Sequence, residues 1–190
     1  MGTVSVRKGQ RVNTGDVLGM VGLSGNTEFP HVDFSVSKDE KPVDPFSLEP
    51  KACGTPAKAL WSSAVLTKLR YQQTGVLISG FAATPPQVDM AEAGGYDAQI
   101  IPADAENIVF WVQLFGLRKD DQLTLELYGP DKQGLSHSQM VLPGDKADWF
   151  AYSGKRRKAV LWPKGSYSAL MHLERAGKVI VDERKEVEVR

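Results

Sequence analysis

Gln122-Leu123-Thr124-Leu125-Glu126-Leu127-Tyr128 alternates polar and apolar residues without a break. A half-buried β-strand requires this period of two, because successive side chains point to opposite faces of a sheet. The turn residues Gly129-Pro130-Asp131 follow at once. Working outward, Val76-Leu77-Ile78 with Phe81 reads as a strand, and Ile108 to Phe115 gives a strongly apolar strand around Trp111. Further strands fit Ser136 to Leu142, Asp148 to Tyr152, Gly165 to Glu174 and Lys178 to Val189. Strands at this spacing, with turn residues between them, predict a β-sandwich over residues 74–190.

The 190 residues are 42% hydrophobic, enough for a true core in one large or two small domains. Lys plus Arg and Asp plus Glu both total 23, so the net charge is zero and no global nucleic-acid footprint is expected. No run reaches the roughly 18 apolar residues that cross a bilayer, and Met1 to Arg7 lacks the basic start and apolar core of a secretory signal. Cys53 is the single cysteine. It forms no internal disulfide, and both a partner upstream and an ordinary unpaired thiol stay open.

Before residue 48 the pattern changes to short apolar runs punctuated by glycine: Val4-Ser5-Val6, Val17-Leu18-Gly19-Met20-Val21, and His31 to Val36. In the last of these, Val32, Phe34 and Val36 fall on one face and His31, Asp33 and Ser35 on the other. As a strand, it points His31 and Asp33 the same way, about 6–7 Å apart along the backbone. Two such groups facing one cleft can share a metal or a proton-transfer task. Three strands alone make a small sheet with unpaired edges. A linker follows from Ser47 to Pro56. Then comes a short helix with Thr55 as N-cap, Pro56 just inside it, and Leu60, Trp61, Ala64, Val65 and Leu69 near helical spacing. Interdomain packing is the expectation for Trp61.

Lys8-Gly9-Gln10-Arg11-Val12-Asn13-Thr14-Gly15-Asp16-Val17-Leu18-Gly19, then Val21-Gly22-Leu23-Ser24-Gly25-Asn26, His31-Val32-Asp33-Phe34 and Val43-Asp44-Pro45, resembles the lysostaphin-type (LytM-like) zinc metalloendopeptidases. The resemblance covers about a quarter of the chain. It implies the distal half of a catalytic domain whose members cut peptide cross-links in bacterial peptidoglycan, hence a periplasmic or extracellular setting. By position, His31 matches the first histidine of the family's His-x-His pair, the general base beside the metal, and Asp33 matches the second, a zinc ligand. Asp33 is a departure from that pattern, although a carboxylate oxygen binds Zn²⁺ at about 2.0–2.2 Å.

A larger departure is the missing His-x-x-x-Asp, since the residues four after His31, His137 and His172 are Ser35, Val141 and Ala176. A catalytic zinc site needs three protein ligands and an open water position. The chain alone is therefore expected to be inactive and to bind no tight zinc, the missing pair lying in a segment upstream. The rival expectation is a non-catalytic cell-wall or protein-binding scaffold. Lipoyl- and biotinyl-type carriers share the glycine rhythm, but the hairpin Leu23-Ser24-Gly25-Asn26-Thr27 lacks their lysine.

The stretch from Trp162-Pro163-Lys164-Gly165-Ser166-Tyr167 to Ala176-Gly177-Lys178-Val179 looks like the last hairpin of immunoglobulin-like or fibronectin-like bacterial modules. The expected organisation is a partial peptidase sheet of barrel-sandwich hybrid type over 1–48, a linker with one short helix over 49–73, and an immunoglobulin-like β-sandwich over 74–190. Two features stand outside it. Lys155-Arg156-Arg157-Lys158 reads either as a solvated turn or as a dock for an anionic polymer. His137 and His172 lie in strand-like stretches without metal-ligand spacing, and read as structural histidines.

Overall fold

A computed structural model describes residues 4–22, 31–46, 59–69, 72–97 and 100–190. The protein is mainly β and divides into two compact units, residues 1–71 and 72–190. The expected linker, Cys53 and the hairpin at 23–27 lie outside the described residues.

In the first unit, two tight turns set the path of the chain. Gln10 N donates to Arg7 O (3.0 Å) and Asp16 N to Asn13 O (3.1 Å). Gly9 and Gly15 sit third in these turns at φ 85° and 95°, a left-handed backbone that glycine adopts without a Cβ penalty. The first two expected strands meet only through a Val4–Gly19 bridge, with Ser5 N donating to Leu18 O (2.8 Å). The only named sheet here, among the described residues, is a hairpin of β1 (Val36–Lys38) and β2 (Lys41–Val43). Its two-residue turn is Asp39-Glu40, at φ 50° and 62°, both residues in the left-handed region as a primed hairpin turn demands. Lys38 pairs with Lys41, Ser37 with Pro42 and Val36 with Val43. Pro42 thus takes a non-hydrogen-bonded position, where its missing N–H costs no ladder bond.

The strand expected from His31 to Val36 is corrected by this ladder. Its hydrogen-bonded part begins at Val36, because Val43 is the last ladder partner before the chain turns at Asp44, whose carboxylate accepts from Phe46 N (2.8 Å). The expected apolar face is not a buried one either, since Val32 is 74% and Phe34 60% exposed. Phe34 instead tilts against Trp61 (5.3 Å between centroids), and Trp61 also meets Phe46 (5.9 Å). Leu60 N donates to Pro45 O (2.9 Å), so the segment at 60–61 docks along the end of the hairpin. Trp61 therefore packs inside its own unit. Of the expected helix, the described residues 59–69 contain one turn, α1 (Ser63–Leu66), while Thr55 and Pro56 lie outside the described residues.

The second unit comprises β3 (Gly75–Ala82), α2 (Val88–Glu92), β4 (Ile100–Ile101), β5 (Asn107–Leu117), β6 (Gln122–Tyr128), β7 (Gly134–Val141), β8 (Lys146–Arg156), β9 (Gly165–Arg175) and β10 (Lys178–Val189). One sheet has the order β3-β5-β8, the other β4-β10-β9-β6-β7. All pairs are antiparallel except β4 with the end of β10. The inward residues of the alternating strands fill one core: Ile108, Phe110, Val112 and Leu114 from β5, Leu123, Leu125 and Leu127 from β6, and Tyr167, Ala169, Met171 and Leu173 from β9. Two sheets joined this way form the expected β-sandwich. A smaller cluster lies on the other face of β5, where Trp111 packs with Ala82, Ala91 of α2, Tyr96 and Phe150. Gln113, next on that face, is buried and donates to Glu92 (2.9 Å) and Asp148 (3.0 Å).

At the entry to β9, the buried Tyr167 donates its hydroxyl back to Pro163 O (2.9 Å). A ring from the core thus fixes the loop that precedes its own strand, an arrangement similar to the tyrosine corner described for β-sandwiches. Tyr167→Phe removes one buried hydrogen bond and leaves a carbonyl short of a partner. The expected loss is about 1 kcal/mol, read as a lower denaturant midpoint with unchanged slope.

Candidate functional site

His31 and Asp33 stand two residues apart in the exposed segment that leads into β1. The chain runs through them outside any ladder and enters the hairpin at Val36. Among the described residues, no three His, Cys, Asp or Glu side chains come together as a metal site. Two donors cannot complete a tetrahedral zinc site. The described residues therefore do not by themselves fit a catalytic zinc.

The other histidines are engaged on the outer face of the five-stranded sheet. His137 Nδ1 lies 3.1 Å from Glu126 Oε1 across the β6–β7 pair, and Tyr128 donates to Glu126 Oε2 (2.9 Å). The tyrosine hydrogen bond, helped by His137 against the opposing effect of burial, holds the Glu126 carboxyl below its usual range. His172 Nδ1 lies 2.7 Å from Asp182 across the β9–β10 pair. Each is a cross-strand pair of the kind that stabilises a sheet, in keeping with their reading as structural histidines.

Among the described residues the most buried charge is Asp121, fully inaccessible in the β5–β6 connection. It accepts from Arg118 N (2.9 Å) and from Arg175 Nε (2.8 Å) and Nη2 (2.7 Å), a two-pronged pair. The same Nη2 reaches Thr74 Oγ1 (3.1 Å) and Gly116 O (3.3 Å), and Thr74 donates to Gly116 O (2.7 Å). This network ties three connections of the sandwich together and holds no nucleophile or free base. A groove of about 490 Å³ runs between the open edges of β3 and β10, past Tyr96, Asp97, Trp111 and Lys185. There Ser79 spends its hydroxyl on Glu183 (3.0 Å).

The four-cation stretch is not the loop of free charges its sequence implies. Lys155 and Arg156 end β8, and Arg156 pairs with Glu106 (2.8 Å). Arg157 turns its guanidinium onto backbone carbonyls of Ala105, Asp104, Ala159 and Val160. Sequence reasoning missed this brace because a main-chain partner leaves no mark on the sequence.

With this geometry in place, the chemistry of the first unit rests on sequence. Residues 1–45 match the model of peptidase family M23. The match ends between Asp44 and Phe46, where the chain turns after β2, and includes both His31 and Asp33. No curated protein sequence matches the chain. Solved structures align with about three-fifths of it at low similarity. A glycosyl hydrolase family 2 member from Bacteroides cellulosilyticus has 14% identity and a TM-score of 0.42 over 62% of this chain and 16% of its own. Bifidobacterium dentium beta-glucuronidase has 14% identity and 0.38, over 62% and 18%. The CARDB domain of a Pyrococcus furiosus protein has 8% identity and 0.34, over 62% and 85%. The chain thus spans less than a fifth of the glycosidases it is similar to.

Proposed function

We propose that the first unit is the distal part of a lysostaphin-type zinc endopeptidase domain acting on the peptide cross-links of peptidoglycan, outside the cytoplasm. The observation that carries this reading is the M23 family match over residues 1–45, which takes in the His31-x-Asp33 pair. His31 takes the role of general base and Asp33 that of a metal ligand. The remaining ligands come from a His-x-x-x-Asp that residues 1–190 do not contain. The second unit is an immunoglobulin-like module carried beside the peptidase part.

Residues 1–190 by themselves are accordingly expected to hold no stoichiometric zinc and to leave cross-linked cell wall intact. Elemental analysis of the purified chain and a wall-clearing assay with and without added zinc check this. Tight zinc together with metal-dependent clearing overturns it. When the chain is joined to a segment bearing His-x-x-x-Asp, Asp33→Ala should lower zinc affinity by about tenfold or more. His31→Ala should keep most of the zinc and lose turnover. Wild-type zinc content and activity in both variants would show that His31 and Asp33 do not have these roles. A joined protein that holds no zinc and cuts nothing would leave a non-catalytic scaffold as the reading, which fits a carboxylate at position 33 in place of the family's histidine.

A further inference from the structure

Among the described residues, Val160 is the most exposed large apolar side chain, at 86%, and Leu161 beside it is 51% exposed. An apolar tip on a slack loop would fold back onto the protein; this one is held out. Arg157 donates to four backbone carbonyls, two of them in the tip itself (Ala159, Val160) and two in the segment before β5 (Asp104, Ala105). Arg157 N adds a bond to Glu106 O (2.8 Å). On the far side of the tip, the buried Trp162 donates from its backbone N to Ala103 O (2.8 Å) and from its indole to Ala105 O (2.9 Å). Both ends of the four residues Lys158-Ala159-Val160-Leu161 are thus fixed to the same short segment.

Charge surrounds the tip. Residues 155–164 carry five cations, Lys155, Arg156, Arg157, Lys158 and Lys164, and no acid. The segment that braces them supplies two carboxylates, Asp104 and Glu106, of which Glu106 pairs with Arg156. Lys158 and Lys164 are exposed, one on each flank of Val160-Leu161. An anionic polymer in water would be bound by the cations alone and would gain nothing from a valine and a leucine. A bilayer with anionic headgroups takes both: its charge attracts the lysines and its acyl boundary receives the apolar pair.

We infer that the β8–β9 loop is a membrane-surface anchor, inserting Val160 and Leu161 into an anionic lipid leaflet while Lys158 and Lys164 contact its phosphates. This anchor is independent of any peptidase chemistry in the first unit. The test is sedimentation of the full chain with vesicles of phosphatidylcholine, with and without phosphatidylglycerol. Binding is expected only to the phosphatidylglycerol vesicles and should weaken as salt rises. Val160→Asp should cut it by about tenfold or more, and the pair Lys158→Glu with Lys164→Glu by a similar factor. Val160→Asp leaves the fold intact because the side chain is in solvent, and an unchanged thermal midpoint verifies that. Val160→Ser is a second, uncharged probe of the same tip. Failure to bind phosphatidylglycerol vesicles at low salt overturns the anchor, as does equal binding by wild type and Val160→Asp. Binding to soluble polyphosphate with the same affinity as to vesicles also overturns it, since the cations would then serve a polymer.

Discussion

Arg175→Ala should be among the most damaging single substitutions in the sandwich, lowering stability by about 3 kcal/mol or more. Removing one member of a buried ion pair leaves an uncompensated charge in a medium that solvates it poorly. Asp121 is fully buried and takes two of its hydrogen bonds from that guanidinium. The same change strips one donor each from Thr74 and from Gly116 O. Thermal unfolding should show a midpoint roughly 10 °C lower. Gly116→Ala attacks the network from the other side: glycine is there at φ 67°, and an added Cβ would lie 1.9 Å from Gln73 O, a backbone atom that cannot step aside.

The pH dependence of that loss has a definite sign. Burial pushes the Asp121 carboxyl up, but the Arg175 hydrogen bonds, the Arg118 N–H and the two positive charges outweigh it and leave the pKa below the ordinary value of 3.8. A carboxyl lowered by folding contributes stability that is fully present above its unfolded pKa and disappears as the pH falls through its folded pKa. The gap between wild type and Arg175→Ala should therefore be widest at neutral pH. It should narrow as the pH falls, first where the variant's unpaired, buried Asp121 takes up its proton at a raised pKa, and further below pH 3.8 as the wild-type carboxyl does. A gap that stays constant from pH 7 to pH 2 would show that lost packing, not charge, is the cause.

The sandwich was legible where a strand is half buried and of ordinary length. Gln122–Tyr128 is a strand with the bounds its alternation predicts, and Lys178–Val189 is a strand with the bounds expected for it. Ile100–Ile101 was not legible, because a two-residue strand has no period; it exists through parallel pairing with Glu188 and Val189 at the far end of the chain. Lys155 and Arg156 read as a loop because their stretch lacks apolar alternation, whereas β8 reaches them through its ladder with Ile108 and Asn107. The Asp39-Glu40 turn escaped notice since neither residue is the glycine or asparagine that advertises two left-handed positions. His31 and Asp33 stood out as a pair from their spacing and their likeness to a family. Their surroundings did not: Phe34 packs on Trp61 from a segment some 27 residues on, a contact that spacing along one strand does not reveal.

Amides of the second unit should exchange with solvent at least about a thousandfold more slowly than those of the first, a difference that follows from where apolar area is buried. β5 supplies Ile108, Phe110, Val112 and Leu114, all inaccessible, and bonds to neighbours on both sides. Among the described residues of the first unit, the largest sheet has two three-residue strands, and Val4, Val17, Leu18, Met20, Val21 and Val32 are all exposed. Ordering a residue costs about 1–2 kcal/mol of backbone entropy, and burial on this scale offsets little of it. Hydrogen exchange of the full chain should therefore show Ser5, whose N–H bonds to Leu18 O across the isolated bridge, exchanging fast. Phe110 and Val112 should exchange only on global unfolding of their unit. Equal protection in both units would mean that those exposed side chains are covered in solution by a further β-segment or a second chain. Adding a segment that carries His-x-x-x-Asp should then slow exchange at Ser5 and leave Phe110 unchanged. That result would connect the exposed apolar surface of the first unit to the metal site proposed for His31 and Asp33.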